Sequence, residues 1–170
     1  CTSISSAGKK VSSIHTEFEG RLDLTLETFS ADKIARDTEL AFLCLPHAES
    51  ARTAVQLLKK GVRLIDLSAD FRLKNAAVYQ KWYKVKHPAK AELGKFVYGL
   101  PEVYRREIQD SDRVANPGCY ATASILGALP LVKNRLIKDG TLVIDAKSGV
   151  SGAGKKVEPR YLFCQPHETF

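Results

Sequence analysis

Methionine is missing from all 170 residues, and the chain opens on Cys1. A sequence with no initiator reads as a piece of a longer product. The alternative, a mature lipoprotein cysteine, would want a flexible tether, whereas CTSISSAGKK runs straight into folded-looking sequence. No apolar run approaches the ~20 residues of a membrane span. No basic segment followed by an apolar stretch stands at the front as a secretory leader would, so a cytoplasmic protein is expected. Cysteines at 1, 44, 119 and 164 form no C-x-x-C pair, which argues against a disulfide framework or a zinc cluster. There is no internal repeat and no low-complexity segment. Basic residues exceed acidic ones, for a net charge of +7, but they are dispersed and no nucleic-acid-recognition motif accompanies them. An anionic small molecule suits this balance at least as well as nucleic acid.

What is present points to an α/β fold. Hydrophobic residues make up 44% of the chain and charged residues 26%, the proportions of a globular protein. LAFLCLP, from Leu40 to Pro46, predicts a strand buried on both faces, with Cys44 in the core. HAESARTAVQLLKKG predicts a helix with Ala51, Ala54, Val55 and Leu58 on one face and Gly61 as its stop. VRLIDLS predicts a second buried strand, completing a β-α-β crossover with parallel strands. Ligands of open parallel sheets bind beyond the carboxyl ends of the strands. Pro46, His47, Ser68, Ala69 and Asp70 therefore fall at a candidate site edge. Further strands are expected at 22–26, in DRVAN and in GTLVIDAKSG, with short helices in NAAVYQKWYK and EVYRREI.

The stretch ANPGCYATAS, residues 115–124, carries the chemistry. An Asn-Pro-Gly turn delivers Cys119 to the start of a helix expected from Tyr120. Unpaired N–H groups there favour a thiolate and can hold an oxyanion. Gly118 lets a substrate approach the backbone. On local sequence alone, a nucleophile and a small packing cysteine remain equal readings.

The motifs together decide more. VANPGCYATA, LIDLSADFRL and IDAKSGVSGAGKK, with YQKWY, VYGLPEVYR and CLPHAES, resemble the signature segments of the N-acetyl-γ-glutamyl-phosphate reductase family across nearly the whole chain. The aspartate-semialdehyde dehydrogenases are more distantly similar. The resemblance implies a Rossmann-type parallel-sheet domain over 1–118, lacking its first β-α unit. The start of an α+β catalytic and dimerisation domain would follow over 119–170. It implies NADPH as cofactor, a small acyl-phosphate substrate, and a homo-oligomer, dimer or tetramer, at full length. Cys119 matches the nucleophile that forms a thioester. Ser148, Arg72, Asn116 and Gly118 would line the substrate, with Arg72 either clamping an anion bidentately or merely forming a surface ion pair. Ser3, Ser5, Ser6 and Lys9 would meet the cofactor's 2′-phosphate. Pro46, His47, Ser151, Gly152 and Gly154 would complete its site, with Gly149 in the same glycine-rich loop. The family has PHG where this chain has Pro46-His47-Ala48, so a Cβ stands where the resemblance expects none. The family's phosphate loop and its His-Arg-His segment are not within the 170 residues, and the chain reads as truncated at both ends. His15, His87 and His167 show no partner pattern, and solvated or capping roles are expected for them. Two other readings stay open: a relative acting on an aminoadipyl or aspartyl phosphate, and an inactive remnant that binds a nucleotide or a partner subunit.

Overall fold

The computed structural model describes residues 1–138, 140–149 and 152. The chain divides into two compact units, 1–118 and 119–170. Ser151, Gly154, Cys164 and His167 lie outside the described residues.

The first unit is built on a parallel sheet. Strands β1 (Leu40–Leu43), β2 (Arg63–Asp66), β3 (Val97–Tyr98) and β4 (Arg113–Ala115) run in the order β1-β2-β4-β3. Leu40 pairs with Arg63 and Leu43 with Asp66, while Asp66 also pairs with Ala115. Helix α1 (Ala31–Asp37) precedes β1 and is capped by Ser30, whose hydroxyl accepts from the Lys33 N–H. Helix α2 (Glu49–Leu58) makes the crossover from β1 to β2, and Gly61 at φ 78 stops it, as its sequence requires. Asn75 caps helix α3 (Ala76–Tyr83) by accepting from the Ala77 and Val78 N–H groups. Helix α4 (Pro101–Gln109) begins on a proline, which has no N–H to leave unpaired.

Ala51, Ala54 and Leu57 of α2 pack on Leu43 and Leu64, joined by Val62, Phe71 and Phe96. Phe71 and Phe96 stack with ring centres 3.8 Å apart. Side chains such as Leu57 and Leu64, each 1% exposed, contribute about 2 kcal/mol apiece. This core holds the carboxyl ends of β1, β2 and β4 in place.

Three sequence expectations fail here. β1 is buried on one face only: Leu43 joins the core with Ala51, Ala54 and Leu57 of α2, while Phe42, on the opposite face by strand alternation, is 62% exposed. Cys44, two residues on, shares the side of Phe42 and is exposed instead of in the core. Residues 22–26 form no continuous strand. They contribute one isolated bridge, Lys10 facing Thr25, and the neighbouring Glu27 makes another with Thr2.

The second unit opens with helix α5 (Cys119–Lys133), which starts one residue earlier than its sequence predicts. GTLVIDAKSG is not a strand. Its apolar run leaves Val143 90% exposed, and no described strand of this unit offers it a ladder partner.

Candidate functional site

Three segments leave the carboxyl ends of the sheet in the first unit: 44–48 after β1, 67–72 after β2 and 116–118 after β4. Helix α2 lacks a capping side chain of its own, because its N-cap residue is Ala48. The cap comes from the next segment. Asp70, fully buried, accepts from the Ala48 N–H through both oxygens at 3.0 and 2.9 Å and from the Ala51 N–H at 2.8 Å. A carboxylate suits that place, since it meets the unpaired donors and the positive end of the helix. The Ala48 backbone is held at φ 68, a region that costs an alanine energy and a glycine almost none.

A second buried carboxylate lies one turn of chain away. Asp66, the last residue of β2, accepts from the Ser50 hydroxyl at 2.6 Å and from the Ser68 hydroxyl and N–H at 2.8 and 3.1 Å. The Ser68 oxygen in turn accepts from the Asp70 N–H. Tyr79 of α3 donates its hydroxyl to Asp70 at 2.7 Å. Burial, then the adjoining Asp70 carboxylate, pushes the Tyr79 phenol well above its ordinary range. Of the two roles expected for His87, solvated or capping, the ring is buried and takes the capping one: its Nδ1 accepts from the Ala89 N–H, and its Nε2 meets the Asp70 carbonyl at 2.8 Å. The cluster of Asp66, Asp70, Tyr79 and His87 as a bonded unit was not read from sequence. One signal was there: a helix that starts on alanine needs a cap from elsewhere.

The predicted residues are distributed as follows. Pro46 and His47 are exposed at the end of β1. His47 Nδ1 accepts from the Ala69 N–H at 3.2 Å, and its ring lies against Tyr83. Arg72 spans two segments, donating from Nε to the Asn116 carbonyl at 2.7 Å and from Nη2 to the Leu67 carbonyl at 2.8 Å. Among the described residues its hydrogen-bond partners are backbone carbonyls and not carboxylates. Asn116 continues the ladder by donating its N–H to the Asp66 carbonyl. At Gly118 a Cβ would stand 3.2 Å from Arg72 Nη1.

The amino-terminal group shares one turn. Ser3 Oγ accepts from the Ser6 N–H, and the Ser6 carbonyl accepts from the Lys9 N–H. The turn is fastened to 26–27 by Gly8 N–H to the Leu26 carbonyl and Ser3 N–H to the Glu27 carbonyl. Ser5 and Lys9 are exposed on it.

In the second unit Cys119 is exposed and is the first residue of α5. The N–H groups of a first helical turn have no partner within the helix and lie beside such a side chain. Ser148 Oγ donates to the Gly149 carbonyl at 3.2 Å, and the Gly152 N–H closes a turn onto the same carbonyl. A Cβ at Gly152 would fall 2.2 Å from Ser148 Oγ, so a side chain there would require the Ser148 hydroxyl to turn away.

Known proteins match this arrangement along its length. Residues 1–111 match the semialdehyde dehydrogenase NAD-binding domain, and residues 119–170 match the semialdehyde dehydrogenase dimerisation domain. Proteins named N-acetyl-gamma-glutamyl-phosphate reductase are similar throughout. The one from Rhodopirellula baltica is 47% identical over 99% of this chain and 49% of its own length. That from Clostridium novyi is 43% identical over 96% of this chain and 48% of its own. That from Halothermothrix orenii is 46% identical over 96% and 47%. The chain thus spans about half the length of the curated relatives it matches.

Proposed function

This chain belongs to the semialdehyde dehydrogenase family, and we propose that it serves the NADPH-dependent reduction of N-acetyl-γ-glutamyl phosphate to the semialdehyde and phosphate, a step of arginine biosynthesis. The observation that carries this reading is the 43–47% identity, over nearly the whole chain, to the three relatives described above, all of which carry that name. The exposed sulfur of Cys119 at the first residue of α5 supports the chemistry.

The Cys119 thiolate attacks the acyl carbon, a C–S bond forms, and the C–O bond to phosphate breaks to leave a thioester. The nicotinamide cofactor, when bound, supplies the hydride that this thioester accepts. The C–S bond then breaks, returning the thiolate and releasing the aldehyde. A thiolate suits both halves, since it is a good nucleophile and a good leaving group.

The cofactor fits the first unit. Its β1 end carries a ring N–H at His47, and the 3–9 turn presents Ser5 and Lys9 to solvent. We assign Ser3, Ser5, Ser6, Lys9, Pro46, His47, Ser151, Gly152 and Gly154 to the cofactor. Substrate roles fall to Arg72, Asn116 and Gly118 in the first unit and to Ser148 in the second. The same reading takes residues 1–118 as the dinucleotide-binding domain and 119–170 as the start of a catalytic and dimerisation domain. The match of 119–170 to a dimerisation domain supports a homo-oligomer, dimer or tetramer. A cytoplasmic location accords with a biosynthetic role, and no helix among the described residues is long and apolar enough to cross a membrane.

The test is Cys119→Ser in the reverse direction. Phosphate-dependent NADP⁺ reduction by the semialdehyde should fall by at least about a thousandfold while NADPH binding persists. A serine variant within about tenfold of wild type would show the cysteine to be structural.

A further inference from the structure

Two histidines of the first unit make the same hydrogen bond with Nδ1 and differ in what remains. His87 Nδ1 accepts from the Ala89 N–H, and its Nε2–H donates to the Asp70 carbonyl, so both nitrogens are engaged in a buried ring. His47 Nδ1 accepts from the Ala69 N–H at 3.2 Å, which puts the ring proton of the neutral imidazole on Nε2. Among the described residues nothing accepts from that Nε2–H. The ring is exposed, and Tyr83 packs on it at 5.3 Å between centres.

Its placement is fixed from both sides. The following residue, Ala48, is held at φ 68 by the two oxygens of Asp70. The segment that supplies Ala69 is pinned by Ser68 on Asp66. A left-handed alanine is an unfavourable backbone state, and such states persist where the surroundings over-determine them. Here the result is a ring set at the carboxyl end of β1, the end of a parallel sheet where ligands bind.

We propose that His47 is a hydrogen-bond donor to the cofactor, with its tautomer fixed by the Ala69 amide so that Nε2–H faces an acceptor oxygen of the bound dinucleotide. The inference rests on the nicotinamide-cofactor reading above and adds the atom, the tautomer and the sense of the bond. With Nδ1 already accepting from the Ala69 N–H, the donor left is Nε2–H, so the bond is to an acceptor oxygen. Glycine at position 48 would leave this donor in place, because the Ala48 contribution is its N–H.

Two substitutions separate the ends of the ring. His47→Asn keeps an acceptor near Nδ1 and removes the Nε2 donor, whereas His47→Gln keeps a donor near Nε2 and removes the Nδ1 acceptor. In the purified protein, nitrogen-15 NMR of the wild-type ring should show a bare Nδ1 and a proton on Nε2. NADPH titration should show His47→Asn weakened about tenfold with Ala69 amide exchange unchanged. His47→Gln should bind within about threefold of wild type while Ala69 exchanges faster. A proton on Nδ1, or His47→Asn binding within about twofold of wild type, overturns the inference while leaving the cofactor reading intact. A wild-type protein that does not bind NADPH overturns the cofactor reading, and the ligand assigned to His47 falls with it.

Discussion

Replacing Asp70 tests how the strand ends are held. Its carboxylate is fully buried and receives three donors: the Ala48 N–H, the Ala51 N–H and the Tyr79 hydroxyl. In Asp70→Ala those donors lose their acceptor, at about 1–3 kcal/mol for each that stays dry. Water entering the space left by the carboxylate returns part of this, so the expected loss is about 4 kcal/mol, a large share of the ~5–15 kcal/mol available to a domain. Asp70→Asn is the informative companion. Its oxygen can keep the Ala48 and Ala51 N–H groups, and its NH₂ can donate to a reoriented Tyr79 hydroxyl. Only the charge-assisted part is lost, about 1–2 kcal/mol.

Urea unfolding followed by circular dichroism gives both numbers by linear extrapolation. Adding Tyr79→Phe completes a cycle with Asp70→Ala, and a coupling of about 1 kcal/mol or more is expected from a direct bond in a buried place. A loss below about 1 kcal/mol for Asp70→Ala would refute the capping argument. Equal losses for alanine and asparagine would show that charge, and not acceptor geometry, holds the helix.

Three further outcomes follow from individual residues. Ala48→Gly should stabilise by about 0.5–1 kcal/mol, because release of the strain at φ 68 outweighs the extra freedom of glycine in the unfolded chain; a lower urea midpoint would contradict it. Tyr79 has a folded pKa raised above its unfolded value of 10.0, so its contribution is complete below that pH and is lost as pH rises past it. Above about pH 10 the wild type should lose roughly 1.4 kcal/mol per pH unit more than Tyr79→Phe does, and parallel alkaline curves for the two would refute this. Gly118→Ala should loosen Arg72, whose Nη1 would lie 3.2 Å from the new Cβ; the check is phosphate affinity falling more than thermal stability does.

The β1-α2-β2 crossover was legible because local and global signals agree there. A short apolar run, a helix with Ala51 and Ala54 on one face and a glycine stop specify one arrangement. How many layers cover a strand is not local information, so Phe42 and Cys44 were expected inside and lie outside. Strand-like composition in 141–149 likewise says nothing about whether a neighbour is available to pair. The site was half legible. The strand-end rule and the motifs marked His47, Asp70 and Arg72, but not their bonds. Asp70 caps a helix whose N-cap residue lies 22 residues earlier, and Arg72 reaches a carbonyl 44 residues later. Bonds at such separations leave no periodic trace in sequence.

Those long-range bonds also change what Arg72 can offer an anion. A guanidinium presents a side-on fork from Nε and one Nη, and an end-on fork from its two Nη atoms. The side-on fork is committed here, with Nε on the Asn116 carbonyl and Nη2 on the Leu67 carbonyl. Backbone from two strand ends therefore fixes the plane and direction of the group before any ligand arrives. In the proposed substrate role, an oxyanion would be met end-on, through Nη1 and the second Nη2 hydrogen, on the side where Gly118 has no Cβ. Lysine could not replace this arrangement. A single ammonium cannot hold two carbonyls in the plane of a fork and still present a directed pair of donors beyond them. The positive charge is thus positioned by main chain, and the side chains of Asp66 and Asp70 position that main chain in turn.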